Sequence, residues 1–227
     1  MTITTTTLTR ASGLCAVAAG LLFIGVQIGH PDLNAELVTT TEWTVRQSVK
    51  VAMAVLSLLG ITGMYLRQVR PAGLLGLLGY LLFGAGYLIM LSVEMIGLVV
   101  LPAIARSEPA YVNDILAVAT GGHAVGDIGL MLPLNLAAAA TYLGGGLIFG
   151  IALFRADVLA RWAAALLAIG ALATAAIPLL PQLNQRLFAI PTAVALIGLG
   201  HSLWRAERGR AAGTGSSTEA LDPAGAR

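Results

Sequence analysis

Residues 72–104 contain a single charged side chain, Glu94. A helix of that length in a water-soluble protein needs a polar face, and this stretch has none. A membrane-spanning helix needs about 20 mostly apolar residues. Five further stretches meet that requirement, so the set is 11–29, 45–66, 72–101, 130–154, 158–180 and 187–204. Composition agrees: 57% of the chain is hydrophobic and 11% charged, against about 25% charged in soluble domains. A soluble globular domain is excluded. The expected fold is all-α, a polytopic transmembrane helix bundle of six spans.

The charges that punctuate the spans orient the bundle. Nine arginines (10, 67, 70, 155, 161, 205, 208, 210 and 227) and four acidic residues fall on one side. The other side carries four basic residues, Arg46, Lys50, Arg106 and Arg186, against seven acidic ones. Excess Lys and Arg marks the cytoplasmic side, so both termini are expected there, in a cell membrane. The same bias argues against a cleaved leader over residues 1–29. The expected organisation is a cytoplasmic segment 1–10, a six-helix domain 11–204, and a small, polar, disordered cytoplasmic tail 205–227. The net charge of +2 forms no basic block, which excludes a nucleic-acid partner. The lone Cys15 excludes a disulfide scaffold and a thiolate zinc site.

Two segments are irregular. At 1.5 Å per residue, 72–104 makes a helix of about 50 Å, longer than a hydrocarbon core of about 30 Å. It must tilt, break or project. The stretch 105–133 is apolar yet lies beyond the outer end of the next span. Pro109 can start a short helix there and Gly121-Gly122 can stop it. This predicts a short extracytoplasmic or re-entrant helix between the third and fourth spans, capping a pocket.

Glu42, Arg46 and Lys50 are spaced four apart and share one face of the second helix. Charged groups in a membrane face the bundle or a cavity and take partners. Glu94, Asp114 and Asp127 are the available acids. His30, Gln47, His123, Asn135, Gln182, Asn184, Gln185 and Arg186 lie at the same level. One polar cluster at the outer end of an apolar bundle is the expectation. It reads as a proton-handling or head-binding site, as a salt-bridged plug, or as side chains reaching outer headgroups. Asp127, four residues after His123, is placed to orient it or to cap a turn. His201, Trp43, Trp162 and Trp204 read as interfacial residues. The pairs Gly25–Gly29, Gly122–Gly126 and Gly146–Gly150 match small-residue helix contacts, and Gly144–Gly146 marks a thin point in the fourth span. Motifs for hydrolytic nucleophiles, zinc proteases, phosphate loops or dinucleotides do not occur. No cofactor and no metal is expected.

The segments RASGL at 10–14, GGGLIFGIALFRADVLARWAAALLAIGAL at 144–172 and AIPTAVALIGLGHSLWR at 189–205 resemble small bacterial, actinobacterial-type six-helix membrane proteins. In size and apolar helical character the chain also resembles the integral-membrane terpene cyclases. That second resemblance implies a carboxylic acid that protonates an alkene or epoxide of a lipophilic prenylated substrate, without metal. Glu94 would be the acid, with Asp127 or Glu42 as second carboxylate. Arg46, Lys50, His123, Tyr87 and Asn135 would contact substrate, and Tyr80, Tyr87 or Tyr142 would shield the cation. The expected partners are that substrate, membrane lipid and, as a homo-oligomer, further copies of the chain. Two other classes stay open: a small proton-coupled transporter or channel, in which a dimer supplies a second half, and a non-catalytic membrane partner or sensor subunit.

Overall fold

Helix starts follow local capping chemistry. Thr4 accepts from Thr7 N at 3.2 Å and begins α1, Thr5–Gln27. Asn34 accepts from Leu37 N at 2.8 Å and begins α2, Ala35–Val38. Thr40 does the same for α3, Thr41–Arg67. Next come α4, Val69–Met95, a π-helical turn over Ile96–Val100, and α5, Leu101–Ile104. Pro109 opens α6, Pro109–Ala119, which ends before Gly121 at φ +85°, as the sequence predicts. The bundle continues with α7, Met131–Ala156, α8, Arg161–Ala173, a 3-10 turn at Arg186–Ala189, and α9, Ile190–Glu219. This computed structural model describes the backbone of residues 4–29, 31–175 and 186–219, with side chains over 4–29, 31–175 and 188–208. Among the described residues every regular element is helical.

Four helical stretches are long and apolar enough to cross a membrane: Thr5–Gln27, Thr41–Arg67, Val69–Ile104 and Met131–Ala156. The surface of α4 explains why they suit lipid. Leu74, Leu81, Leu88 and Met95, seven apart, stand exposed, while Gly76, Gly79, Phe83, Gly86 and Tyr87 are buried. Large apolar groups face out and small ones face in, the pattern of helices packed inside a bilayer.

The long helices close into a ring. α1 packs on α3, α3 on α4, α4 on α7, α7 on α8, α8 on α9, and α9 returns to α1. Backbones come closest between α4 and α7. A Cβ on Gly86 would lie 2.8 Å from Tyr142 N, and one on Gly145 would collide with the backbone of Phe83. The Gly144–Gly146 stretch is therefore a contact point. Gly146 and Gly150 bring α7 onto Ala171 and Ala168 of α8. The other two glycine pairs make no helix contact: Gly25 has open space around it, and Gly122 and Gly126 belong to the loop after α6.

The overlong 72–104 stretch resolves by projecting, as one helix that continues to Ile104. Gly73, at φ +57°, kinks the start of α4. Near the other end the helix widens into the π turn just after Glu94, then runs on to Ile104. At that end a second, smaller core forms. Ala35 and Val38 of α2 meet Trp43, Leu101, Ala105, Val112, Ile115, Leu116 and Ile128. Asn113 Oδ1 accepts from Ala35 N at 2.8 Å and ties α6 to α2.

Two chain-end expectations change. α1 begins at Thr5 because Thr4 caps it, so residues 5–10 are helical. α9 continues past Trp204 to Glu219, so the disordered segment does not start at 205. Side chains anchor the extension: Glu207 pairs with Arg67 at 2.7 Å, and Arg208 lies over the Trp204 ring. The fifth stretch is helical from Arg161 to Ala173, and its expected end at 180 lies outside the described residues.

Candidate functional site

α3 and α4 run antiparallel, so the start of one meets the end of the other. This brings Lys50 of α3 to Glu94 of α4, Nζ to Oε2 at 3.6 Å. Gln47, one turn from Lys50, donates Nε2 to the same oxygen at 2.7 Å. Both members of the ion pair are largely sheltered, with side chains 19% and 17% exposed. Just beyond Glu94, the Trp43 indole N–H donates to the Gly97 carbonyl at 2.8 Å, inside the π turn. A π turn leaves its carbonyls out of regular helical register and is frequent at functional sites. Here a buried tryptophan on the neighbouring helix satisfies one of them.

A second polar group lies deeper. Ser57 is seven residues from Lys50, and Tyr87 is seven from Glu94. Two helical turns, about 10 Å along the axis, separate the tiers on the same faces. Ser57 of α3, Tyr87 of α4, Tyr142 of α7 and Thr192 of α9 are all buried. The Tyr87 hydroxyl faces those of Ser57 and Tyr142, and Tyr142 faces Thr192. The four oxygens thus have one another as partners, in a chain that joins α3, α4, α7 and α9. Aromatic rings surround them. Phe83 lies 5.0 Å from Tyr87 and 5.3 Å from Tyr142 between centroids, and 6.3 Å from Phe149. Below the rings, Ile61, Met64, Leu153, Leu196, Leu199 and Leu203 fill the ring of helices.

The other expected site residues separate. Arg46 does not join Glu94, Asp114 or Asp127. It bonds Glu42 on its own helix at 2.9 Å and the Gly29 carbonyl at 2.6 Å. The negative end of the α1 dipole is the closer partner. Glu42 itself is half exposed. Asp127 accepts from Gly129 N at 2.8 Å and shapes its own turn, and His123 is exposed without a bond to it. The carboxylate therefore does not orient the imidazole. Asn135 donates to Met131 O on its own helix at 2.8 Å. Asp114 accepts from Val125 N and Gly126 N at 3.0 and 2.8 Å. Those two N–H groups hold its carboxyl below the usual carboxylate range. Tyr80 lies apart from the buried pair, stacked on Tyr65 at 4.7 Å. His30, Gln182, Asn184 and Gln185 lie outside the described residues, as does the Arg186 side chain.

No family model, curated protein or solved structure matches this chain. The chemistry must be read from the residues. Of the expected set the structure joins Glu94, Lys50 and Gln47, and places Tyr87 below them with Tyr142. Ser57, Thr192, Phe83 and Phe149 were not legible as site residues. Ser57 alone carried a signal, its seven-residue spacing from Lys50. Among the described residues no three His, Cys, Asp or Glu side chains gather to hold a metal ion.

Proposed function

We propose that this chain is a six-span protein of the cell membrane, with both termini cytoplasmic, that isomerises a lipophilic prenylated substrate by carboxylic-acid protonation. α8 and α9 would complete the spans, and α2, α5 and α6 would form an extracytoplasmic cap. The orientation is supported by the gathering of Arg10, Arg67 and Arg208 at one end of the ring, around Trp204 and Glu207. The likeness to integral-membrane terpene cyclases stands or falls with this reading.

One observation carries the chemistry: Glu94 stands two turns above a buried cluster of four aromatic rings on the same helix faces. Glu94, once protonated and released from the Lys50 ion pair, gives that proton to an alkene or epoxide. The cation closes on a neighbouring double bond, and the faces of Phe83, Tyr87, Tyr142 and Phe149 shield it. Proton loss to the Glu94 carboxylate restores the acid, so substrate and product have equal mass. Gln47 positions the carboxyl, and Lys50 pairs with the carboxylate that proton transfer leaves.

The test uses membranes containing the protein, linear prenylated and epoxidised substrates, and chromatography with mass detection. The expected result is a new peak of unchanged mass that Glu94→Gln abolishes. Product formation that survives Glu94→Gln would remove Glu94 from the chemistry. The Lys50–Glu94 contact favours a second reading, an ion pair that opens and closes in proton-coupled transport. Substrate flux into proteoliposomes without chemical change would favour that reading.

A further inference from the structure

Arg10 and Arg208 hold no carboxylate. Neither belongs to an ion pair among the described residues. Glu207, next to Arg208 in sequence, is buried and turns to Arg67 of α3 at 2.7 Å. Yet the two arginines are drawn together. They come from different helices, α1 and α9, and both guanidiniums stand over the Trp204 ring, 5.5 and 5.4 Å from its centroid. Backbone packing fixes this arrangement. α1 and α9 cross so closely that a Cβ on Gly13 would lie 2.8 Å from the Gly200 carbonyl oxygen and 3.0 Å from Trp204 N. Arg10 is about one turn from Gly13, and Arg208 about one turn from Trp204. His201 stacks on the same ring at 6.0 Å. A ring face attracts a cation but does not neutralise it. Two like charges over one indole repel each other until an anion joins them. Guanidinium forks match phosphate oxygens.

The surface beside Arg10 indicates what carries the anion. Leu14, Leu21 and Ile28 follow Arg10 along one face of α1, four and then seven residues apart. All three are exposed. α1 is long and apolar enough to cross a membrane, so this face is a track for hydrocarbon chains with a cation at one end. We infer that Arg10 and Arg208, over Trp204, bind the phosphate of an anionic phospholipid whose acyl chains lie along Leu14 and Leu21. Trp204 sits at headgroup level, where tryptophans collect, and basic pockets between helices take acidic headgroups. This site lies at the opposite end of the ring from Glu94 and does not depend on the chemistry there.

The experiment measures which lipid the protein retains. Full-length protein in detergent micelles is mixed with equal amounts of phosphatidylglycerol and phosphatidylcholine of matched acyl chains, and native mass spectrometry counts the bound lipid. The wild type is expected to prefer phosphatidylglycerol by about ten-fold or more. Arg10→Gln and Arg208→Gln are each expected to lower that preference about five-fold. Arg70→Gln removes the same charge from an exposed position outside the Trp204 cluster and is expected to leave it unchanged. Excess glycerol phosphate, the soluble headgroup fragment, is expected not to displace the lipid. Gel filtration and melting temperature check folding, and Arg10→Lys, which keeps the charge but loses the fork, replaces a glutamine variant that fails. Equal retention of the two lipids, a preference that survives both substitutions, or an equal fall in Arg70→Gln would overturn the inference. Displacement by glycerol phosphate would overturn the lipid in favour of a soluble phosphate compound.

Discussion

Two ion pairs link α3 to its neighbours at opposite ends of the ring, and they are built differently. At one end Arg67 Nε meets Glu207 at 2.7 Å, with the acid almost wholly buried. Gln68 beside it is buried too and donates to Met64 O at 3.2 Å. Arg10 and Arg208 lie over the same Trp204 ring, 5.5 and 5.4 Å from its centroid. At the other end Lys50 and Glu94 stand 3.6 Å apart, both largely sheltered, next to a π turn. The first pair is short and braced by aromatic packing, with its acid buried and Arg67 a quarter exposed. The second is longer and borders irregular backbone. Tight, desolvated geometry suits a plug that fixes helices, whereas a looser pair beside a distorted helix suits a site that takes part in events.

The largest expected effect tests the plug. Glu207→Ala removes a buried acid and leaves Arg67, a quarter exposed, without it. The expected loss is about 1.5–3 kcal/mol, measured by reversible denaturation in mixed micelles. A loss below about 1 kcal/mol would erase the distinction between the ends. Next comes Trp43→Phe, which leaves the Gly97 carbonyl in the π turn without its donor. About 1–2 kcal/mol is expected, with faster amide exchange confined to Ile96–Val100. Exchange that rises evenly along α4 would show that the indole bond does not hold the turn.

Smaller still is the stability change from Glu94→Gln. The amide still accepts from Gln47, and Lys50 can reach outward to headgroups. About 1 kcal/mol or less is expected, although turnover should vanish. A loss matching that of Glu207→Ala would make the Lys50 pair a second plug. The smallest effect concerns the cap. The Asp114 carboxyl is lowered by the Val125 and Gly126 N–H groups. Its contribution is therefore present above the unfolded value, about 3.9, and is lost as pH falls through the lower folded value. Protease nicking of the 121–130 loop should rise only below about pH 4 and be pH-independent in Asp114→Asn. Wild-type nicking that ignores pH would remove Asp114 from the loop's support.

Local chemistry made much of the fold legible. Apolar runs located the long helices, Pro109 and Gly121 bounded α6, and the i, i+4 spacing put Glu42 beside Arg46. Partners distant in sequence were less legible. Lys50 had three candidate acids and takes Glu94, because of the three only Glu94 lies on a helix packed against α3 at that depth. Asp114 and Asp127 are drawn instead to backbone N–H groups of their own loop, which are closer than any cation. Glu207 read as one loop charge among several, since nothing in its neighbours announces a pair with Arg67 140 residues away.

The sequence by itself determined that the chain is helical and apolar, where its long apolar helices run, and that Glu42, Arg46 and Lys50 share one helix face. Those properties follow from side-chain solvation and short-range backbone preferences, which act within a few residues. Only the tertiary structure decided that the helices close into a ring, that Lys50 takes Glu94, and that hydroxyls from four helices meet between aromatic rings. Those outcomes depend on which backbones approach closely, as Gly86 and Gly145 permit between α4 and α7. Packing of that kind is a property of pairs of helices, and neither strand of sequence carries it alone.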